Sequence, residues 1–301
     1  AVHHAPRRGD VVEAFLTNSL QPLAPGAMRL LPDAAAEARM RRRPCWLTFG
    51  VSSVNRRHAN YLGITLSHLF EALGAGTDGH EKGTALVVHL ADFDVDWVDR
   101  TSAWLNSSFS EEVETGRLHV IHAPERLYTP REQLWRMKFN DPPYRQWWRS
   151  KQNMDYSFLM WYCTGLSEFY MQLEDDIQVV PNFLPTVTSF MKKVDTEPWV
   201  MVAFSKLGFI GKVFNATTLP KLAEFLYTFH DESPCDWLVW VFIDAMSSRP
   251  VTVEIAEDLE QECAKRAAHR RDPNFKLPNA MRDDIAIYYK EIPEELFRSN
   301  A

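Results

Sequence analysis

Three consecutive acids, Glu174, Asp175 and Asp176, follow directly on an apolar run from Phe169 to Leu173. Adjacent carboxylates repel one another, so a triplet of this kind needs something to compensate its charge. At the end of a core-type strand, a hard divalent cation can do so. Mg2+ or Mn2+ takes oxygen ligands and keeps several waters, which a diphosphate can replace. The alternative is an acidic surface turn. Upstream, Arg149, Lys151, Gln152 and Asp155 crowd a predicted helix start. They are suited to gripping a base and phosphates beside the helix N-terminus, or else they form the solvated face of an ordinary amphipathic helix. Downstream, Gly208 and Gly211 stand among apolar residues, where a missing side chain lets backbone approach a ligand or a neighbouring strand. Asp236, in Pro234-Cys235-Asp236-Trp237-Leu238, opens a further helix and there has the chemistry of an N-cap.

Delivering these residues to one place requires a scaffold. Trp46 to Val51 is rich in strand formers and ends in a polar turn, Ser52 to Arg57. Tyr61, Leu62, Ile64, Leu66, Leu69, Phe70 and Leu73 predict a helix that Gly74 stops. Ala85–Leu90 predicts a buried strand, Val95–Leu105 a helix and Arg117–His122 a third strand. This alternation predicts an open α/β sheet with mainly parallel strands, whose ligands sit at the carboxyl ends. Ser52 and Ser53 head the first loop at such an end. That loop carries no GxGxxG and no GxxxxGK[ST], so neither the usual dinucleotide fingerprint nor a P-loop is present. Residues 124–148 read as a long loop rich in Pro and aromatics, and residues 149–164 as a helix ended by Gly165. Trp199–Ser205 reads as a strand and Leu219–His230 as a helix. Residues 1–44 read as a lead-in that packs partly on a single domain spanning 45–301.

Composition sets the outer bounds. The 301 residues carry a formal charge of −7, which argues against a general nucleic-acid binder, since that needs a basic face. Hydrophobic residues make up 46% of the chain, enough for a sizeable core. No apolar run approaches the ~20 residues that cross a bilayer. The longest, Trp237 to Met246, is interrupted by Asp244. The N-terminal AVHHAPRRGD lacks an apolar signal core, so any membrane anchor or secretory address is expected outside these residues. Cys45, Cys163, Cys235 and Cys263 are too widely spaced for a zinc ribbon or redox pair. They are either small buried apolar residues or partners in a lumenal disulfide of undetermined pairing. Two sequons, at Asn106 and Asn215, permit glycosylation in a secretory compartment.

Four blocks stand in order: Trp148-Arg149-Ser150-Lys151-Gln152-Asn153-Met154-Asp155-Tyr156, Phe169 to Ile177, Phe204 to Phe214, and Pro234 to Leu238. Their pattern and spacing resemble the N-acetylglucosaminyltransferase IV family, which adds a β1,4-linked GlcNAc to the α1,3-mannose arm of N-glycans. The resemblance spans roughly residues 45–245. It implies an α/β fold of the glycosyltransferase A type, a Rossmann-like open sheet with a nucleotide-binding half at about 45–177 and an acceptor half at about 178–301. It further implies an inverting, metal-dependent transferase with UDP-GlcNAc as donor, Mn2+ or Mg2+ as cofactor, an N-glycan or glycoprotein as acceptor, and the Golgi lumen as location.

By the family pattern, Asp176 holds the metal, Glu174 faces the ribose or neighbouring sugar, and Asp175 supports them. Ser52, Ser53, Arg149, Gln152, Asp155 and Gly208 are expected at the donor from their own positions, and Asp236, in a block that matches the family, is the candidate general base. An N-cap role for Asp236 conflicts with a base role, because a carboxylate committed to backbone N–H groups is a poor base. A histidine-containing segment that the family carries after its catalytic core has no evident counterpart here. Three readings compete: the active transferase, an inactive glycan-binding relative or transferase for another glycan, and a metal-dependent phosphohydrolase or nucleotidyltransferase.

Overall fold

The computed structural model describes residues 29–56, 60–74, 83–134, 141–179, 183–194, 199–205, 208–246 and 287–289. The first 28 residues of the lead-in, and Arg57, Lys206, Leu207, Cys263 and Lys290, lie outside the described residues.

Strands β2 (Cys45–Ser53), β3 (Thr84–Leu90), β4 (Leu118–Ile121) and β5 (Ser167–Glu174) are runs of mostly apolar residues buried almost throughout. Burial on both faces marks interior strands of a parallel sheet. β3 and β5 flank β2, β4 lies beyond β3, and all three pairings are parallel. The edges differ from the mainly parallel expectation. β1 (Arg29–Leu31) joins β4 antiparallel, β8 (Lys212–Asn215) joins β5 antiparallel, and β7 (Val202–Ala203) joins β8 the same way. The sheet order is β1-β4-β3-β2-β5-β8-β7. A separate antiparallel pair joins β6 (Ile177–Val179) to β9 (Ile287–Tyr289).

Helices cover both faces. They are α1 (Ala34–Arg42), α2 (Tyr61–Leu73), α3 (Val95–Ser108), α4 (Ser110–Thr115), α5 (Pro143–Cys163), α6 (Phe183–Val194), α7 (Leu219–Thr228) and α8 (Cys235–Met246). Asn60 caps α2 by accepting from Gly63 N, and Asp94 caps α3 by accepting from Trp97 N. On one face, Phe49, Val51, Val88 and Met171 pack with Leu62, Leu66 and Leu69 of α2 and with Phe183 and Val187 of α6. On the other, Val87, Tyr170 and Phe214 pack with Phe158 and Leu159 of α5, Leu222 and Leu226 of α7, and Leu238 and Phe242 of α8. The result is three layers, helix on sheet on helix. Helix α5 begins six residues earlier than its sequence pattern indicated, because Pro143 at the first helical position lacks an N–H that would find no intrahelical partner anyway.

The lead-in is also more structured than expected, since regular elements begin at Arg29, ahead of Cys45. Burial opposes ionisation of Glu37, but hydrogen bonds from Arg41 and Arg29 outweigh it and hold the carboxyl below its usual range. Arg41 also donates to Thr164 O (2.9 Å) and Tyr162 O (3.1 Å), satisfying carbonyls at the end of α5. Among the described residues, Cys45, Cys163 and Cys235 are buried, as small apolar residues are, and form no disulfide with one another. No helix among the described residues is long and apolar enough to cross a membrane.

Buried His119 makes the fold sensitive to acid. Its Nε2–H donates to Gly116 O (2.9 Å), which leaves Nδ1 to accept from Tyr162 Oη (2.8 Å). Burial lowers its pKa from 6.5 to about 4. Between those values the unfolded chain binds the extra proton and the native chain does not, so stability rises with pH across this window. The contribution is complete above pH 6.5 and is lost as pH falls towards 4. It amounts to about 3 kcal/mol. In urea unfolding, the gain in stability from pH 4 to pH 7 is expected to be smaller in His119→Gln than in the wild type by about this increment, and an equal gain in both would refute it.

Candidate functional site: an acidic crevice at the switch point

From β2 the chain steps outward to β3 and β4, then returns through α5 to β5 on the other side of β2. The crevice between the carboxyl ends of β2 and β5 is therefore the topological switch point, the preferred ligand position in open α/β sheets. Ser53 ends β2, Glu174 ends β5, and Asp175-Asp176 form the turn between β5 and β6. The acid triplet thus stands where the strand order predicted a binding site.

The turn is held from three sides. Ser53 Oγ donates to Asp175 Oδ2 at 2.6 Å. Thr65 of α2 directs its hydroxyl between the carbonyl oxygens of Asp175 and Ile177 (2.8 and 3.0 Å). Arg56 spans the two aspartates, with Nη2 at 2.5 Å from Asp175 Oδ1 and Nη1 at 3.1 Å from Asp176 Oδ2. Its guanidinium also lies 4.9 Å from the centre of the Tyr61 ring, in cation–π contact. Both oxygens of Asp175 are engaged. Asp176 Oδ1 is buried and has no hydrogen-bond partner among the described residues.

Charge is concentrated around Glu174. Burial, then Asp176 and Asp175, raise its pKa to about 7 against the pull of Arg56. Asp175 is pushed up to about 6 by burial, despite Arg56 and Ser53. Gly208 adopts φ +35, and a Cβ there would meet Glu174 Oε1 at 3.5 Å, so the bare backbone closes over the carboxylate. Lys212, buried on β8, donates to Ser205 O. Burial lowers its pKa to about 8, while the charges of Asp236 and Glu174 oppose the fall. The same field joins Asp236 to Glu174. Two elements distant in sequence, β8 and α8, therefore bring a cation and a fourth carboxylate to the crevice.

Asp236 is the second residue of α8. The carbonyl of Pro234 accepts from Trp237 N (3.1 Å) and Leu238 N (3.0 Å), which puts the capping position at residue 234. The N-cap reading of Asp236 is corrected accordingly, and its conflict with a base role disappears.

The remaining expected donor residues divide. Ser52 pairs in register with Glu174 on one side and His89 on the other, and its buried Oγ has no partner among the described residues. Gln152 Nε2 donates to Tyr156 Oη (3.3 Å), and the Tyr156 phenol feels the charge of Glu174. Arg149 and Asp155 are used internally. Arg149 pairs with Asp141. Asp155 takes Lys151 on both oxygens (2.8 Å each) and Tyr128 Oη at 2.7 Å. Lys151 also reaches Ala91 O at 2.6 Å, pinning α5 to the end of β3. Opposite charges at i,i+4 on a buried helical face neutralise one another, and this is what occurs here.

Sequence reasoning did not single out Arg56, Lys212 or Tyr156. A lysine directly after Gly211, within the apolar stretch Leu207 to Phe214, was the available signal for Lys212.

Fold and site define a three-layer α/β protein with an acidic crevice at its switch point, flanked by Arg56 and Lys212. A family model described as MGAT4 conserved region matches residues 28–271, and the chain belongs to that family. Alpha-1,3-mannosyl-glycoprotein 4-beta-N-acetylglucosaminyltransferase C of Macaca fascicularis is 41% identical over 210 residues, covering 70% of this chain and 43% of that protein. The Danio rerio protein of the same name is 35% identical over 264 residues, covering 84% of this chain and 57% of that protein. Alpha-1,3-mannosyl-glycoprotein 4-beta-N-acetylglucosaminyltransferase A of Bos taurus is 37% identical over 193 residues, covering 64% of this chain and 35% of that protein. The chain therefore spans between 35% and 57% of the length of these relatives.

Proposed function

We propose that this chain is a glycosyltransferase A-type catalytic domain that transfers GlcNAc from UDP-GlcNAc, with inversion, to a mannose of an N-glycan in β1,4 linkage. The names of the relatives support the donor sugar, the linkage and the acceptor class. The observation that carries the reading is Asp176 Oδ1, a buried carboxylate oxygen at the switch point without a partner among the described residues. This atom suits a hard divalent cation. No group of three or more His, Cys, Asp or Glu that could hold a metal occurs among the described residues. Mn2+ or Mg2+ would be bound there through one or two carboxylates, with substrate phosphates and water completing the shell. Asp176 would hold the ion, and the ion would supply Lewis-acid stabilisation of the diphosphate leaving group.

The chain's own residues do the rest. Ser53 and Arg56 hold Asp175, and with it the turn. Glu174, Gly208 and Ser52 border the donor. Asp236 accepts the proton of the acceptor hydroxyl as its oxygen bonds to the anomeric carbon. The bond from that carbon to the phosphate oxygen breaks at the same time, and its electron pair leaves with UDP. Lys212 keeps positive charge beside the carboxylates that flank this displacement. The lumen of the Golgi is the location that goes with such an acceptor, and the sequons at Asn106 and Asn215 agree with it.

Incubating the purified chain with UDP-GlcNAc, Mn2+ and a biantennary N-glycan tests the reading. One added N-acetylhexosamine per glycan, β1,4-linked and matched by UDP release, is the expected product. Donor binding without transfer would favour the glycan-binding relative, and phosphate release or nucleotide transfer would favour the third reading.

A further inference from the structure

The loop from α7 into α8 ends two residues before Asp236, and it is held by a side chain that no site assignment includes. Asn153, in the middle of α5, is fully buried. Its Nδ2 donates to His230 O and to Ser233 O, both at 2.8 Å. Two backbone carbonyls facing one side-chain nitrogen use both of its hydrogens and fix the orientation of the amide. The loop has a second tie. His230 Nδ1–H donates to Tyr227 O (2.7 Å), leaving Nε2 to accept from Thr129 Oγ1 (2.9 Å). The carbonyl of Pro234, which starts the α8 hydrogen-bond ladder, comes directly after the clamped Ser233. Fixing Ser233 O therefore sets the origin and direction of α8, and with them the position of the carboxylate on its second residue.

We propose that Asn153 is the positioning residue for Asp236: its amide ties α5 to the α7–α8 loop and holds the carboxylate towards the crevice. The proposal deepens the reading of Asp236 as the base and rests on it. α5 then works as a jig with two pins on one helix, Lys151 on the end of β3 and Asn153 on the entry to α8. A misplacement of about 1 Å at a reacting group costs on the order of 100-fold in rate, so one lost clamp is enough to be read in turnover.

Asn153→Ala tests this by steady-state kinetics, UDP titration and hydrogen exchange. The expected result is a fall in kcat of about 10- to 100-fold with donor KM within about twofold of wild type. Amide exchange should accelerate in residues 229–238 and not in β2 or β5. The double variant with Asp236→Asn should be no slower than Asp236→Asn alone, because both changes act on one group. Asn153→Ser, which keeps one donor, should fall between, and it decides on the same criteria where the alanine variant does not fold. Wild-type kcat, losses that add to those of Asp236→Asn, or UDP affinity falling in step with kcat would each overturn the proposal. Exchange separates it from the reading beneath. An active Asp236→Asn would remove the base, while unchanged exchange at 229–238 in Asn153→Ala would remove the clamp.

Discussion

Asp236→Asn is expected to lower turnover by roughly 10²–10⁴-fold, the usual range for loss of a general base, while UDP affinity stays within about twofold of wild type. The substitution keeps the size and polarity of the side chain and removes only the proton-accepting oxygen. Because the helix is capped at Pro234 and not by this carboxylate, the fold should not register the change. Thermal unfolding should agree with that, and kinetics alone should report the loss. The neighbours give the effect a direction. Asp236 shares a field with Lys212 and Glu174, so removing its charge leaves Lys212 with less opposition to its burial and lowers the lysine pKa further. A variant that transfers sugar within about tenfold of wild type would take Asp236 out of the mechanism.

The second large effect is expected at Asp176. Asp176→Ala removes a carboxylate of the turn that has an oxygen unpartnered among the described residues. Metal-dependent UDP binding should weaken by about 100-fold or more, since even residues that only support metal ligands are worth 10- to 100-fold in affinity. Arg56 retains Asp175 in this variant, and Thr65 still pins the turn through backbone carbonyls, so the fold should persist. Chelation of the wild type should reproduce the same loss in titrations of UDP. Equal UDP–Mn2+ affinity in wild type and variant would refute the assignment of the ion to Asp176.

The parts of this protein that were legible in its sequence are those dictated locally. β2, β3 and β5 announce themselves as short buried apolar runs. α2 does so through its three- and four-residue spacing between Asn60 and Gly74. β1 could not be read this way, because Arg29-Leu30-Leu31 is a strand only through its pairing with β4. The antiparallel edge of β8 and β7 likewise depends on contacts with β5.

The site divides along the same line. The acid triplet is contiguous and ends a strand, so it was visible. Arg56 acquires its role from carboxylates about 120 residues away in sequence. Lys212 acquires its role from Glu174 and Asp236, which lie on other elements. Polar residues on α5 carry the opposite ambiguity. A helix dense in donors resembles a ligand grip, yet Lys151 and Asp155 satisfy one another and Asn153 satisfies backbone carbonyls. Which polar side chains remain for a ligand is decided by tertiary partners, and a periodicity does not encode those.

The central claim is that the crevice between β2 and β5 holds the donor through Asp176. Anomalous scattering from crystals grown with UDP and Mn2+ tests it most directly. The account predicts one manganese peak within coordination distance of Asp176 Oδ1, beside the diphosphate, with the uridine towards Ser52 and Ser53. A manganese peak away from residues 174–176, or UDP bound with no metal beside Asp176, would contradict it.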